Sequence, residues 1–167
     1  MTVSLYQVTI PVFIRNLKVL QQLLNKAAAH SAGKEAALVE SRLIFDMLPL
    51  TFQVQTACDT AKFYAVRVCG LANVAFADTE KTFPELLQRV ASTIALLETV
   101  KPDSTDGKEG QEIRAVKRQG VSVPLNGTQY TTEYSIPNFF FHISMVYAIL
   151  RKEGIEVGKN DFLGNNL

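Results

Sequence analysis

Cysteine is nearly absent from this chain, with two in 167 residues, and tryptophan is missing altogether. A disulfide-stapled scaffold is thereby excluded. Cys58 and Cys69 lie eleven residues apart in what reads as one helix. They share a face there but are separated by roughly 16 Å along the axis, too far for a bond between them. Each reads instead as a small buried apolar residue. Charge of one sign is also lacking: 17 basic and 16 acidic residues leave a net charge of +1, with no long run of either. A phosphate backbone would find no extended basic face, so nucleic acid is not an expected partner. No apolar run reaches the ~18–20 residues of a membrane-spanning helix. The densest, Phe139 to Leu150, is short and holds His142 and Ser144, so no membrane partner is expected. Arg15 and Lys18 interrupt the N-terminal apolar pattern, which argues against a signal peptide and for the cytoplasm. Phosphate-cradling glycine loops, Cys-x-x-Cys pairs, His-Glu-x-x-His and nucleophile elbows are all missing.

What the chain does have is apolar material in helical rhythm. Hydrophobic residues make up 47% of it. Its length suits one domain, 1–167, able to bury roughly 70% of the surface that the unfolded chain exposes. Phe13, Leu17, Leu20, Leu24 and Ala27 follow the three-four spacing of a buried helix face. Pro11 marks a start or a kink, Gly33 offers a stop, and His30 suits the negative end of the dipole. A short helix over Glu35 to Arg42 leads to a second long one, from about Leu48 to Cys69. Asp46 is placed to cap that helix, with Pro49 in its first turn. Its stripe of Leu50, Val54, Cys58, Ala61, Ala65 and Val68 is rich in small residues, whereas Asp59 and Lys62 fall on the opposite, solvent side. Gln53 sits on the border of the buried face.

Thr82-Phe83-Pro84-Glu85 is a capping-box sequence, followed by Phe83, Leu86, Leu87, Val90, Ile94 and Leu97 on one face. A polar loop, Lys101 to Glu112, precedes a β-branched stretch, Ile113 to Leu125, broken at Gln119-Gly120. It predicts a small β-hairpin. Asn126-Gly127-Thr128 matches a glycosylation acceptor but reads as a turn in a cytoplasmic protein. The fourth helix is expected from about Gln129 to Glu153, interrupted or kinked at Pro137. Phe162 and Leu163 in the tail are placed to pin it back. Four such helices bury their faces most economically as an all-α four-helix bundle, with the hairpin between the third and fourth long helices.

One polar set stands where apolar residues are expected. Asn138 and His142 are four apart in a nearly all-apolar helix, so both project from one face toward one cavity. Gln53 is the third member. Asp46, Asp59, Asp78 and Asp161 have simpler explanations as caps, turns or solvated groups.

Asn138-Phe139-Phe140-Phe141-His142, with Tyr147-Ala148-Ile149-Leu150-Arg151 and Gly154, resembles the last helix of the DinB/YfiT-like superfamily of metal-dependent helical bundles. Asp46-Met47-Leu48-Pro49-Leu50, Gln53-Val54-Gln55, Asp59-Thr60-Ala61-Lys62, Asp78-Thr79-Glu80-Lys81-Thr82-Phe83 and Gly158-Lys159-Asn160-Asp161-Phe162-Leu163-Gly164 extend the likeness over nearly the whole chain. The full set resembles one domain-of-unknown-function family within that superfamily. The resemblance implies up-down-down-up topology and pairing as a homodimer. It also implies a divalent metal, Zn or Ni, held by one histidine of the second helix and a His-x-x-x-His pair of the last. Some superfamily members use that metal in thiol-dependent transfer or isomerisation.

Carried over residue by residue, the implied site is incomplete. His142 matches the last histidine, Asn138 stands in place of the first of the pair, and Gln53 stands for the second-helix histidine. One imidazole and two amides bring no negative charge to a divalent ion, and amide oxygen is a harder ligand that suits Ca or Mg better. Three readings stay open. They are a closed hydrogen-bonded network, a polar pocket for a small molecule around His142, and a metal-dependent thiol transferase or isomerase that finds its missing ligands elsewhere, for instance at Asp46.

Overall fold

A computed structural model of the protein describes residues 3–31, 33–116, 120 and 122–165. Helix α1, Leu5–His30, starts ahead of Pro11, because Ser4 and Gln7 form a capping box. The Gln7 N–H donates to Ser4 Oγ at 3.2 Å and the Ser4 N–H to Gln7 Oε1 at 3.0 Å. Pro11 does not start the helix; it lies inside it, on the exposed side. The predicted stripe Phe13, Leu17, Leu20, Leu24 and Ala27 is fully buried, and His30 is exposed in the last turn.

Helix α2, Glu35–Val39, is shorter than its sequence pattern. Glu35 accepts the Phe83 N–H at 2.7 Å, so it serves an orphan donor at the start of another helix. Helix α3 spans Leu50–Arg67, with Pro49 at its N-cap and no side-chain cap. Asp46 therefore does not cap it, contrary to expectation; the intervening residues turn instead of continuing the helix. Helix α4, Phe83–Glu98, carries the predicted capping box of Thr82 and Glu85. A 3-10 turn, Pro102–Thr105, follows. Strands β1, Glu112–Val116, and β2, Ser122–Asn126, pair antiparallel with Ile113 opposite Leu125. Gln119, predicted to break the hairpin, lies outside the described residues.

The last long helix differs from the predicted Gln129–Glu153. Asn126 caps one turn of helix, α5, Gly127–Gln129, which widens into a π-helical segment, Tyr130–Ser135, before α6, Ile136–Lys152. Pro137 lies in the first turn of α6 and lacks the N–H that regular winding would need. Gly127 is required at its position: a Cβ there would collide with the Lys108 carbonyl oxygen. A final turn, α7, Lys159–Phe162, folds back on α1. Phe162 packs on Tyr147 at 5.6 Å between ring centroids, whereas Leu163, expected to share that task, is largely exposed. Its backbone carbonyl instead accepts from Arg15 at 2.6 Å.

Contacts along the bundle fix its direction. Glu35 after α1 meets Phe83 at the start of α4, and Tyr6 at the start of α1 meets Thr105 beyond its end, so these two run antiparallel. Gln55 and Glu80 join the starts of α3 and α4, which run parallel. His142 reaches Gln53 while Tyr64 reaches Thr131, so α3 and α6 are antiparallel. The result is a four-helix bundle, up-down-down-up, with α1 between α4 and α6 in the ring. Phe13, Tyr64 and Phe139 meet at its centre, with centroids 5.6 and 4.6 Å from Phe13. Among the described residues, no helix is long and apolar enough to cross a membrane.

Parallel neighbours α3 and α4 need a long crossover, residues 68–82, and this corrects a further expectation. Asp59 and Lys62 do not face solvent, because the crossover folds over them. Lys62 is only 3% exposed, pairs with Asp59 at 3.0 Å, and lies over the rings of Phe63 and Phe76. Arg89, 4% exposed, reaches Asp59 at 3.0 Å and Asp78 and Glu80 at 2.9 Å each. One guanidinium thus ties α4 to α3 and to the crossover.

Candidate functional site

The long antiparallel contact of α3 with α6 sets Gln53, Thr56 and Thr60 of one helix opposite Asn138 and His142 of the other. Each set repeats at three or four residues, so each shares a face. Gln53, Asn138 and His142 all line one cavity of about 520 Å³. Leu48, Phe52, Tyr134 and Phe141 supply apolar walls, and Asp46 and Met47 come from the turn before α3. Tyr134 lies one turn ahead of Asn138, in the π-helical segment, and stacks on Tyr130 at 5.3 Å. Burial raises its phenol above the ordinary value, with Tyr130 adding to the effect, so it stays protonated.

Gln53 and His142 are directly bonded. Gln53 Nε2 donates to the Leu48 carbonyl at 2.9 Å, which leaves Oε1 as the end that meets His142 Nδ1 at 2.7 Å. An oxygen there requires the hydrogen on Nδ1, so the neutral ring keeps its lone pair on Nε2. Burial, at 7% residual exposure, brings His142 down from 6.5 to about 4, so the ring is neutral at physiological pH. The rings of Phe52 and Phe141 lie 6.1 and 5.2 Å from it, centroid to centroid, in T-shaped arrangements.

Asn138 does not join that pair. Its Nδ2 donates to Thr60 Oγ1 at 2.7 Å, and the Thr60 hydroxyl donates onward to the Thr56 carbonyl at 2.7 Å. Among the described residues Asn138 Oδ1 and His142 Nε2 have no hydrogen-bond partner, so both remain acceptors. The sequence pattern did not single out Tyr134, Thr60 or Phe52. Tyr134, Asn138 and His142 repeat every fourth residue, a signal that would have found the first of them.

This donor set does not fit a tightly held transition metal. Gln53 Oε1 already accepts the imidazole N–H. What remains is one imidazole nitrogen, one amide oxygen and the carboxylate of an exposed Asp46. Among the described residues, no group of three or more His, Cys, Asp or Glu is arranged to hold a metal ion. Both cysteines have their thiolates disfavoured. Burial pushes Cys58 up to about 12 against an opposing hydrogen bond from Thr93, and burial raises Cys69 as well.

Residues 5–163 match the family described as "Domain of unknown function (DUF1993)". The chain belongs to that family. A solved structure, a DinB family member protein from Shewanella denitrificans, is 38% identical with a TM-score of 0.84. The match covers 96% of this chain and 92% of that one. Both findings agree with the likeness read from the motifs around Asn138 and His142. No curated protein matches the chain.

Proposed function

We propose that this DUF1993 chain is a DinB-like bundle with a degenerate metal centre, and that it binds a small molecule in the cavity around His142. The observation that carries the reading is the bond from His142 Nδ1–H to Gln53 Oε1. The residue standing where the superfamily places its second-helix histidine is used to orient the surviving imidazole. Metal-bound histidines are oriented by such acceptors from outside the coordination sphere. Here the acceptor occupies one of the ligand positions itself. A neutral, oriented imidazole beside aromatic walls retains the makings of a binding site without the ion.

Asp46 favours a second reading, because it brings a carboxylate to the same cavity. With His142 and Asn138 it would complete a weak three-donor set for a metal-dependent thiol transferase or isomerase of the DinB/YfiT type. Elemental analysis of protein purified without a histidine tag separates the two. Sub-stoichiometric zinc and nickel, unchanged in His142→Ala, is the expected result. Stoichiometric metal that disappears with His142→Ala overturns the first reading and promotes the second. Association as a homodimer in the cytoplasm belongs to the same proposal, supported by the pairing habit of the superfamily. Light scattering at micromolar concentration is expected to give a dimer mass, and a monomer mass rejects that part.

A further inference from the structure

We propose that the cavity around His142 takes a small organic amine, bound as its ammonium ion, with an aryl or alkyl body. The inference rests on the small-molecule reading above and narrows it to a chemical class. It starts from which hydrogen-bonding capacity the walls have left. Gln53 has both ends in use, Nε2 on the Leu48 carbonyl and Oε1 on His142, which fixes its orientation. His142 keeps a lone pair on Nε2, and Asn138 keeps Oδ1 because Nδ2 is held by Thr60. Asp46 contributes a carboxylate from the turn before α3. His142 Nε2, Asn138 Oδ1 and the Asp46 carboxylate are acceptors that a ligand's N–H or O–H groups can satisfy, while the hydroxyls of Thr56 and Tyr134, which also line the cavity, donate as well as accept.

Charge narrows the class further. Among the described residues no lysine or arginine lines the cavity, and Asp46 is its one acidic side chain. An anion entering it would lose its hydration with no cation to replace it, beside a carboxylate of the same sign. A cation meets the opposite situation. Phe52, Phe141 and Tyr134 line the same space, and aromatic rings attract ammonium groups over their faces. Acceptors, one negative charge and three aromatic rings are complementary to a protonated amine. The volume of about 520 Å³ admits a ring or a short alkyl chain behind it.

Three probes of one shape and different charge test this: benzylamine, benzyl alcohol and benzoate. Each is titrated to millimolar concentration at pH 7.5 into isotope-labelled, tag-free full-length protein, followed by amide chemical shifts and by thermal melting. Benzylamine is expected to shift cavity resonances and raise Tm, benzyl alcohol to do so more weakly, and benzoate not at all. Asp46 is exposed, so Asp46→Asn leaves the fold intact. It is expected to weaken the amine by about three-fold, on the scale of an exposed ion pair, while leaving the alcohol unchanged. His142→Gln is expected to abolish both. If benzoate or the alcohol binds more tightly than the amine and His142→Gln removes that binding, the amine class is overturned while the cavity reading stands. If no probe moves a cavity resonance, both fall.

Discussion

Gln53 Oε1 holds the Nδ1–H of His142 at 2.7 Å across the α3–α6 contact, while the other end of the same amide holds the Leu48 carbonyl. One glutamine thereby couples the turn before α3 to the imidazole of α6. Its removal strands two partners. Gln53→Leu leaves the Nδ1–H of a buried ring without an acceptor and the Leu48 carbonyl without this donor. A loss of about 2–3 kcal/mol is expected in urea unfolding. His142→Ala strands only the Gln53 oxygen but opens a gap, for roughly 1–3 kcal/mol. Asn138→Ala should cost less, about 0.5–1.5 kcal/mol, because Thr60 keeps its bond to the Thr56 carbonyl. Equal costs for Gln53→Leu and Asn138→Ala would show that the glutamine does not anchor the site.

The same burial predicts a pH dependence with a definite sign. The folded ring takes a proton only near 4, while the unfolded chain takes one near 6.5. Between these values the unfolded state binds more protons, so folding stability falls as pH falls. The contribution is complete above 6.5 and is lost progressively toward 4. Between pH 7 and pH 5 the loss should be about 2 kcal/mol. Burial alone would raise Glu80, but hydrogen bonds from Arg89 and Gln55 hold it below the ordinary carboxylate value. The Ser41 and Lys152 hydrogen bonds likewise hold Glu153 down. Stability from these carboxylates is lost only as pH falls through and below their usual range, which leaves the pH 7 to 5 window to the histidine. Urea midpoints should drop across this window in wild type and stay nearly level in His142→Gln. A level wild type would mean that the ring is protonated where it sits.

The helical rhythm was legible because burial acts on periodicity directly. Phe13 to Ala27, Leu50 to Val68 and the Thr82 capping box are found as read. The pairing of Asn138 with His142 on one face followed from spacing alone. What spacing cannot show is where a connection goes. Asp59 and Lys62 looked solvated because helix periodicity knows nothing of the crossover that covers them. Asp46 looked like a cap because the pattern cannot tell a helix start from a turn that feeds a cavity. The start of α1 was missed at Ser4-x-x-Gln7, a capping box legible in principle but overshadowed by Pro11. The widening before α6 depends on tertiary support for a backbone that Pro137 disrupts, and no local pattern specifies it.

Burial disfavours the thiolate at both of the chain's cysteines, and the effect is measurable. Cys58 is fully buried on α3, where an ionised sulfur would lose more through its hydration than Thr93 and Arg89 return. A disulfide reagent at pH 8 should leave Cys58 untouched in the native protein and modify it only after urea is added. Cys69, half-buried at the end of α3, should react slowly, because burial raises it above its ordinary value. Mass spectrometry after quenching distinguishes the two positions. Rapid native modification of Cys58 would mean that the α3–α4 seam opens far more readily than its packing implies.

Arg89 supplies the largest expected effect of a single substitution. It is nearly inaccessible and carries three carboxylates, of which Glu80 and Asp59 are themselves mostly covered. Removing the guanidinium leaves those two negative charges close together under the crossover, with Lys62 as the remaining cation beside Asp59. Arg89→Met keeps most of the stem's packing and deletes the charge. A destabilisation of about 2–4 kcal/mol is expected, since breaking one side of a buried ion pair costs more than replacing the pair. The double variant Arg89→Met with Glu80→Gln separates charge from packing. Neutralising Glu80 removes one stranded anion and keeps an acceptor for Gln55, so a recovery of roughly 1 kcal/mol or more is expected. Additive losses in the double variant would mean that the network contributes through shape alone. The crossover would then be held by Phe76 lying over Lys62 and Arg89, and not by the guanidinium's charge.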